Sequence, residues 1–406
     1  MNRTATPPQD VSRAFASDNN VGASAPVVDA LAAAATGDAP SYGADHWTHG
    51  AKHRLSEIFE RDVDIMLVST GSAANALSLA AMTPPWGSVL CHRDSHINND
   101  ECGAPEFFTG GAKLVPLDGN NTKIDPEQLR RSARRKAGDV HSVQPAVLSI
   151  TQATETGSVY SLEEIRRLTA IAREAGLRVH MDGARLANAL VALDCSPAAA
   201  TWKAGVDVLS LGASKNGTMT ADVIVLFDSA FSTELAYRTK RAGQLAAKMR
   251  FQAAQIDAYL AEGLWLDNAR HANMMAIRLR AGLEAVQSVD LLGTVEANIL
   301  FCRLPQRVIQ GLLAAGYTFY HDRWEPGVAR FVTSFSTTAQ DVDELLDTVR
   351  QLAERNSSYS SNRAERPTAR HVRRSPSVGP SATGSSGVRP QPQVEEGASP
   401  SAQEPC

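Results

Sequence analysis

Short apolar runs recur along the chain between segments of helical period, and their order predicts the architecture. Ile65, Met66, Leu67 and Val68 form one run; Thr70 then opens an Ala- and Leu-rich stretch, 71–82, which reads as a helix after a tight turn. A second run, 88–91, leads into the polar loop SHINNDE. Ser161 and Glu164 stand at capping-box spacing before EEIRRLTAIAREAG, Gly176 stops that helix, and 177–181 returns as a strand. A fourth run, 206–211, ends just before GASKNG. Strands that alternate with helices predict an α/β layer with a largely parallel sheet.

A long helical region, about 231–287, follows. The segments 297–301 and 329–335 then alternate as strands, and a helix capped by Thr338, with Asp341 three residues on, runs to about 354. The expected organisation is a flexible N-terminus (1–13), an arm and large domain (14–287), a small C-terminal α+β domain (288–355) and a tail (356–406). The tail is rich in Ser, Pro, Arg and Gly without apolar period, so it cannot bury enough surface to offset its ordering entropy and is expected to be disordered. Its cluster Arg363, Arg366, Arg370, Arg373 and Arg374 suits either an acidic partner or a solvated tail.

Composition narrows the function. An apolar share of 43% in 406 residues is ample for two cores. Forty Lys and Arg against 44 Asp and Glu leave a net charge of -4, which gives no field for nucleic acid or an anionic membrane and favours a small-molecule partner. The cysteines, Cys91, Cys102, Cys195, Cys302 and Cys406, are odd in number and scattered, as expected of reduced thiols in a cytoplasm. Neither an apolar leader nor a run of about 18 apolar residues occurs, so neither export nor a membrane span is expected.

Four places have residues suited to chemistry. Lys215 follows a strand and lies among small side chains, which suits either a turn in water or a desolvated amine that bonds an aldehyde beside a flat cofactor. Asp182 ends a strand, where it either caps a turn or pairs with a protonated ring nitrogen. Thr70, Gly71 and Ser72 open a helix, as a plain N-cap or as a phosphate cradle. His96 lies in a polar loop, where it is either a surface residue or a stacking and proton-carrying group.

Taken in order, phosphate turn, loop histidine, strand-end Asp and strand-end Lys resemble fold-type-I enzymes dependent on pyridoxal 5'-phosphate (PLP). The motifs FASDNNVGASAPVV, STGSAANALSL, SHINNDECGAPEFF, SITQATETGSVYSLEEI, HMDGARLANAL, GASKNG, AGQLAAKMRFQ and RFVTSFSTT sharpen this. They resemble the L-threonine aldolase and β-eliminating lyase family, on its L-phenylserine and L-allo-threonine aldolase branch, across about 14–350.

The resemblance implies a mostly parallel seven-stranded sheet with a small C-terminal domain. It implies Lys215 as the lysine that carries PLP, Asp182 as partner of its ring nitrogen, and His96 stacked on the ring. Gly71, Ser72 and Ser214 match phosphate-binding positions, and Arg250 a position that reaches a neighbouring subunit's cofactor, implying a homo-oligomer, dimer or tetramer, with shared active sites. Arg185, Arg330 and Ser17 match the substrate-binding positions, and His141 a second substrate-side histidine, so that the base is His96, His141 or a water. The implied reaction cleaves L-β-hydroxy-α-amino acids to glycine and an aldehyde; β-elimination or transamination is the alternative on the same platform. Ala187 and Leu245-Ala246-Ala247-Lys248 depart from the family pattern, which bears on substrate size and subunit contacts.

Overall fold

Seven strands form the larger sheet of the computed structural model, which describes residues 13–354. They are β1 (Asp64–Val68), β2 (Gly87–His92), β3 (Lys113–Leu117), β4 (Gln144–Thr151), β5 (Arg178–Gly183), β6 (Val208–Leu211) and β7 (Asp222–Leu226). Their order is β1-β7-β6-β5-β4-β2-β3. Only β7 runs against the rest, so its first residue, Asp222, lies at the edge where the other strands end, beside Val68 of β1.

Strand side chains alternate between two cores, as a sheet covered on both faces requires. Val68, Val89, Val147, Val208 and Ile224 pack in one cluster with Leu77 of the helix Gly71–Met82 and Leu235 of the helix Ser232–Arg241. Their neighbours Leu67, Leu90, Leu148, Leu209 and Val223 point the other way, into the largest cluster. Val179 and Met181 also belong to the largest cluster, so His180 and Asp182 lie on the face under the helix Gly71–Met82.

A four-stranded antiparallel sheet follows, in the order β10-β11-β9-β8, from β8 (Asp290–Leu292), β9 (Ile299–Arg303), β10 (Tyr320–His321) and β11 (Val328–Val332). The helix Ala339–Glu354 packs on it through Val342, Leu345, Leu346 and Val349. The expected boundary at 287/288 falls between the helix Leu264–Glu284 and β8. That helix contributes Trp265 and Ala269 to the largest cluster and Leu279 and Leu283 to the smaller one.

Three local differences have physical causes. The expected helical region 231–287 is three helices, Ser232–Arg241, Arg250–Leu260 and Leu264–Glu284, with left-handed Gly243 (φ +74°) and Gly263 (φ +76°) in the breaks. The expected strand 329–335 ends at Val332, because the N–H of Ser334 donates to the Thr337 hydroxyl (2.9 Å) and turns the chain. Arg13, expected in a flexible start, has its carbonyl bound by the N–H of Thr318 (3.0 Å), and Phe15 is buried in the small-sheet core. Expectations for residues 1–12 and 356–406 lie outside the described residues.

Candidate active site

The ends of β4, β5 and β6, the start of β7 and the N-terminus of the helix Gly71–Met82 converge on one sheet edge. Asp182 stands on the last rungs of β5, opposite Thr151 and Ser210. It is 3% exposed, and its oxygens accept from Ala184 N–H (Oδ1, 3.0 Å) and Asn75 Nδ2 (Oδ2, 3.0 Å), which aims the carboxylate. Beneath it, His180 is fully buried between the hydroxyls of Ser149 and Ser210, each 2.9 Å from a ring nitrogen. Burial pushes its pKa down to about 4, so the ring is neutral at physiological pH.

Asn75 Nδ2 also donates to Glu101 Oε1 (2.8 Å), which in turn pairs with His96 Nδ1 (2.9 Å). Asp182, Asn75, Glu101 and His96 thus form one polar chain. The His96 side chain keeps 33% of its surface exposed, while that of Glu101 has none. Burial opposes a charge on His96, but the hydrogen bond to Glu101 together with the charges of Asp182 and Glu101 outweighs it and raises the pKa; burial raises that of Glu101 as well.

Lys215 follows β6 on a single turn, Ser214–Asn216. Asn216 fixes this turn by donating to Tyr259 Oη and Trp265 O, both at 2.8 Å. Among the described residues Lys215 makes no hydrogen bond or ion pair. Burial, reinforced by the charge of Arg185, lowers its pKa, which makes a free, nucleophilic amine more accessible.

Both candidate carboxylate ligands meet the N-terminal arm. Arg185 donates through Nε and Nη2 to the two oxygens of Asp18, both at 2.8 Å, and Arg330 Nη2 donates to Ala16 O (3.1 Å). Asn298 Nδ2 adds a third bond to Asp18 (3.0 Å). Burial alone would raise the Asp18 pKa; Arg185 reverses this and holds it at about 2. Ser17, between Ala16 and Asp18, uses its hydroxyl locally, accepting from Asn19 N–H (3.1 Å).

The phosphate positions are only partly as expected. Thr70 caps the helix by accepting from Ala73 N–H (3.1 Å), which leaves the N–H groups of Gly71 and Ser72 without an acceptor among the described residues. Ser214 is different: its hydroxyl lies 3.2 and 3.3 Å from the two Asp222 oxygens, and its N–H donates to the same carboxyl (3.1 Å). A phosphate there would compete with Asp222, whose pKa burial raises toward the neutral acid.

Two expected residues are not brought to the site. His141 is exposed in the turn before β4, its N–H bound to Asp139 Oδ1 (3.0 Å), at the opposite end of an eight-residue strand. At about 3.3 Å per residue it stands some 25 Å from the edge where Asp182 lies, so it does not join this chain's own Asp182 group. Arg250 begins the helix Arg250–Leu260 and donates to Gly37 O (3.0 Å). A role for His141 at a site requires a second copy of the chain.

Conversely, Asp18, Asn75, Glu101, Glu155 and Asp222 belong to the site without having been singled out in the sequence. Asp18 adjoins Ser17 and Glu101 follows His96 by five positions, so a local search for carboxyls would have reached both.

The residues present fit PLP: an unpartnered, desolvated lysine, a buried aimed carboxylate, open helix N–H donors and an exposed imidazole face. Residues 14–304 match the model of the β-eliminating lyases. The chain is 42% identical over 342 residues to a low-specificity L-threonine aldolase of Pseudomonas aeruginosa, covering 84% of this chain and 98% of that protein. It is 40% identical to another from a Pseudomonas species, at 84% and 98% coverage. A threonine aldolase structure from Leishmania major superposes with a TM-score of 0.79 at 27% identity, over 84% of this chain and 99% of that one. The chain belongs to the β-eliminating lyase family, whose members are PLP-dependent enzymes of fold type I.

Proposed function

We propose that the chain is an aldolase that cleaves L-β-hydroxy-α-amino acids, L-threonine or L-allo-threonine and L-phenylserine, to glycine and an aldehyde. The observation that carries this is the junction of Lys215, Asp182 and the Arg185–Asp18 pair at one sheet edge, in a chain 42% identical to a threonine aldolase.

PLP, when bound, supplies an electron sink for the pair released at Cα. Lys215 Nζ would hold its aldehyde carbon, Asp182 its ring nitrogen, and the N–H groups of Gly71 and Ser72, with Ser214, its phosphate. Arg185, with its Nε side committed to Asp18, offers its remaining N–H donors to the substrate carboxylate, and Arg330 a second guanidinium. His96, steadied by Glu101, would cover the ring and position the substrate hydroxyl. Holding the Cα–Cβ bond in one orientation selects this cleavage among the reactions open to the cofactor.

The reading includes a homo-oligomer in which Arg250 and His141 reach a second copy's site, and a cytoplasmic location, where the four described cysteines, all free, stay reduced. Light scattering of the purified protein tests the first part: a monomer at working concentration removes those two roles.

The family's other chemistry, β-elimination, is the second reading, favoured by the match to the β-eliminating lyase model. Incubating the PLP-loaded protein with stereoisomers of threonine and phenylserine, and with serine, decides between them. Aldehyde and glycine support the aldolase; pyruvate and ammonia from serine without aldehyde release overturn it.

A further inference from the structure

Glu155 is a site carboxyl that the roles above leave unused. It lies on the turn that follows β4, and β4 stands between β2 and β5, so this turn sits between His96 and Asp182. The turn is braced: Thr154 N–H donates to Ser158 O and Gly157 N–H to Thr154 O, both at 2.9 Å, and the Thr156 and Thr122 hydroxyls are 2.8 Å apart. Glu155 Oε1 accepts the backbone N–H of His96 at 2.7 Å. Its Oε2 makes no hydrogen bond among the described residues.

We propose that Glu155 Oε2 takes the β-hydroxyl proton of the substrate, a role that rests on the aldolase reading above. As the Cα–Cβ bond breaks, its electron pair stays on Cα and the hydroxyl's O–H pair becomes the second carbon–oxygen bond of the aldehyde. The proton passes to Glu155; one proton leaves oxygen and one arrives at Cα to complete glycine, so no co-reactant is consumed.

The surroundings suit the task. Groups that act on Glu155 are Asp182 from β5, which opposes its charge, and His96 and Arg185, which favour it; Cys91 of β2 and Tyr160 also lie within its field. Burial first, and then Asp182, push its pKa up to about 7, close to the range in which a general base works at neutral pH. His96 is the less suitable acceptor, because its Nδ1 is committed to Glu101 and the pairing keeps its ring protonated to higher pH.

The test uses the PLP-loaded enzyme and its Glu155→Gln and Glu155→Asp variants. Turnover of threonine and phenylserine is followed from about pH 5 to 9, glycine α-proton exchange by NMR in heavy water, and the glutamate carboxyls by carbon-13 NMR. The expected result is a loss of about 100-fold or more in kcat for E155Q with KM little changed, no ionisation limb near about pH 7, and glycine exchange and cofactor absorbance retained. A carboxyl resonance that titrates near about pH 7 should vanish in E155Q. Turnover of E155Q within about threefold of wild type with the limb intact, or no such carboxyl in the wild type, overturns the assignment. Should E155Q not load cofactor, E155D decides: a displaced limb supports the role and an unmoved one refutes it. Failure of the wild type to release any aldehyde is a different result and removes the aldolase reading itself.

Discussion

Arg185 and Asp18 form a two-pronged ion pair, Nε to Oδ2 and Nη2 to Oδ1, both at 2.8 Å, with 11% and 2% of their side chains exposed. The two residues lie 167 positions apart, so the arm and the end of β5 are joined through the proposed carboxylate-binding group. Such a pair fixes the guanidinium plane before substrate arrives, which reduces the ordering cost of binding.

Asp18→Asn removes the aim without removing the volume. KM for the amino acid should rise roughly 10- to 100-fold, with cofactor absorbance retained. The Asp18 pKa falls from 3.8 to about 2 on folding, so its stabilisation is present above about pH 4 and is lost as pH falls towards 2. The stability gap between wild type and variant, about 2 kcal/mol at neutral pH, should therefore close over that window in denaturant titrations. A gap independent of pH would refute the linkage.

Lys215→Met should abolish turnover and the cofactor's visible absorbance. It should also stabilise the cofactor-free chain at neutral pH. Burial lowers the Lys215 pKa from 10.5, so the unfolded chain binds this proton more tightly than the folded one. The penalty is greatest below the lowered value and vanishes as pH rises through about 10.5. Denaturation midpoints of the two chains should thus converge toward alkaline pH; equal midpoints at neutral pH would show that the lysine is not desolvated.

The parts of this site that were legible lie where a strand period stops. Asp182, Lys215 and Thr70 each follow a buried run, and a polar residue at such a junction falls at the sheet edge whatever the loop does next. Asp18 and Asn75 have no such local mark, whereas Glu155 follows β4 at the spacing by which Lys215 follows β6. Asn75 sits 107 positions from Asp182, inside a helix rich in Ala and Leu, and only the packing of that helix over β5 brings them together. His141 is the converse case: the resemblance puts it on the substrate side, but the strand that follows it separates it from its own chain's Asp182 edge, so only a second copy could bring it to a site. The breaks within 231–287 were obscured because Gly243 and Gly263 sit in otherwise helical composition, and a lone glycine does not announce a positive φ.

Glu101→Gln should move the His96 titration to lower pH. The hydrogen bond to Glu101 and the Glu101 charge, with that of Asp182, together overcome burial and raise the His96 pKa, so removing both Glu101 contributions lets burial weigh more. An imidazole NMR titration of the two proteins reads this directly. Asn75 would keep an acceptor at that position, so the fold should persist; an unchanged His96 curve would show that Glu101 does not control it.

Gly217→Ala tests how the lysine turn is held. Gly217 has φ +133°, and a Cβ there would lie 2.5 Å from Ser24 Oγ and 2.8 Å from Asn268 Nδ2. Those atoms are tied to each other (2.9 Å), and Asn268 also donates to Asn216 O (2.8 Å), so neither can yield without loosening the residue next to Lys215. Gly176→Ala is the matched control, since its φ is +76° but a Cβ would meet nothing within 4 Å. The control should cost about 1–2 kcal/mol from backbone strain alone. G217A should cost about 1–3 kcal/mol more and weaken cofactor binding, whereas G176A leaves binding unchanged. Equal losses in thermal unfolding and cofactor titration would mean that the Ser24–Asn268 bond does not set the position of Lys215.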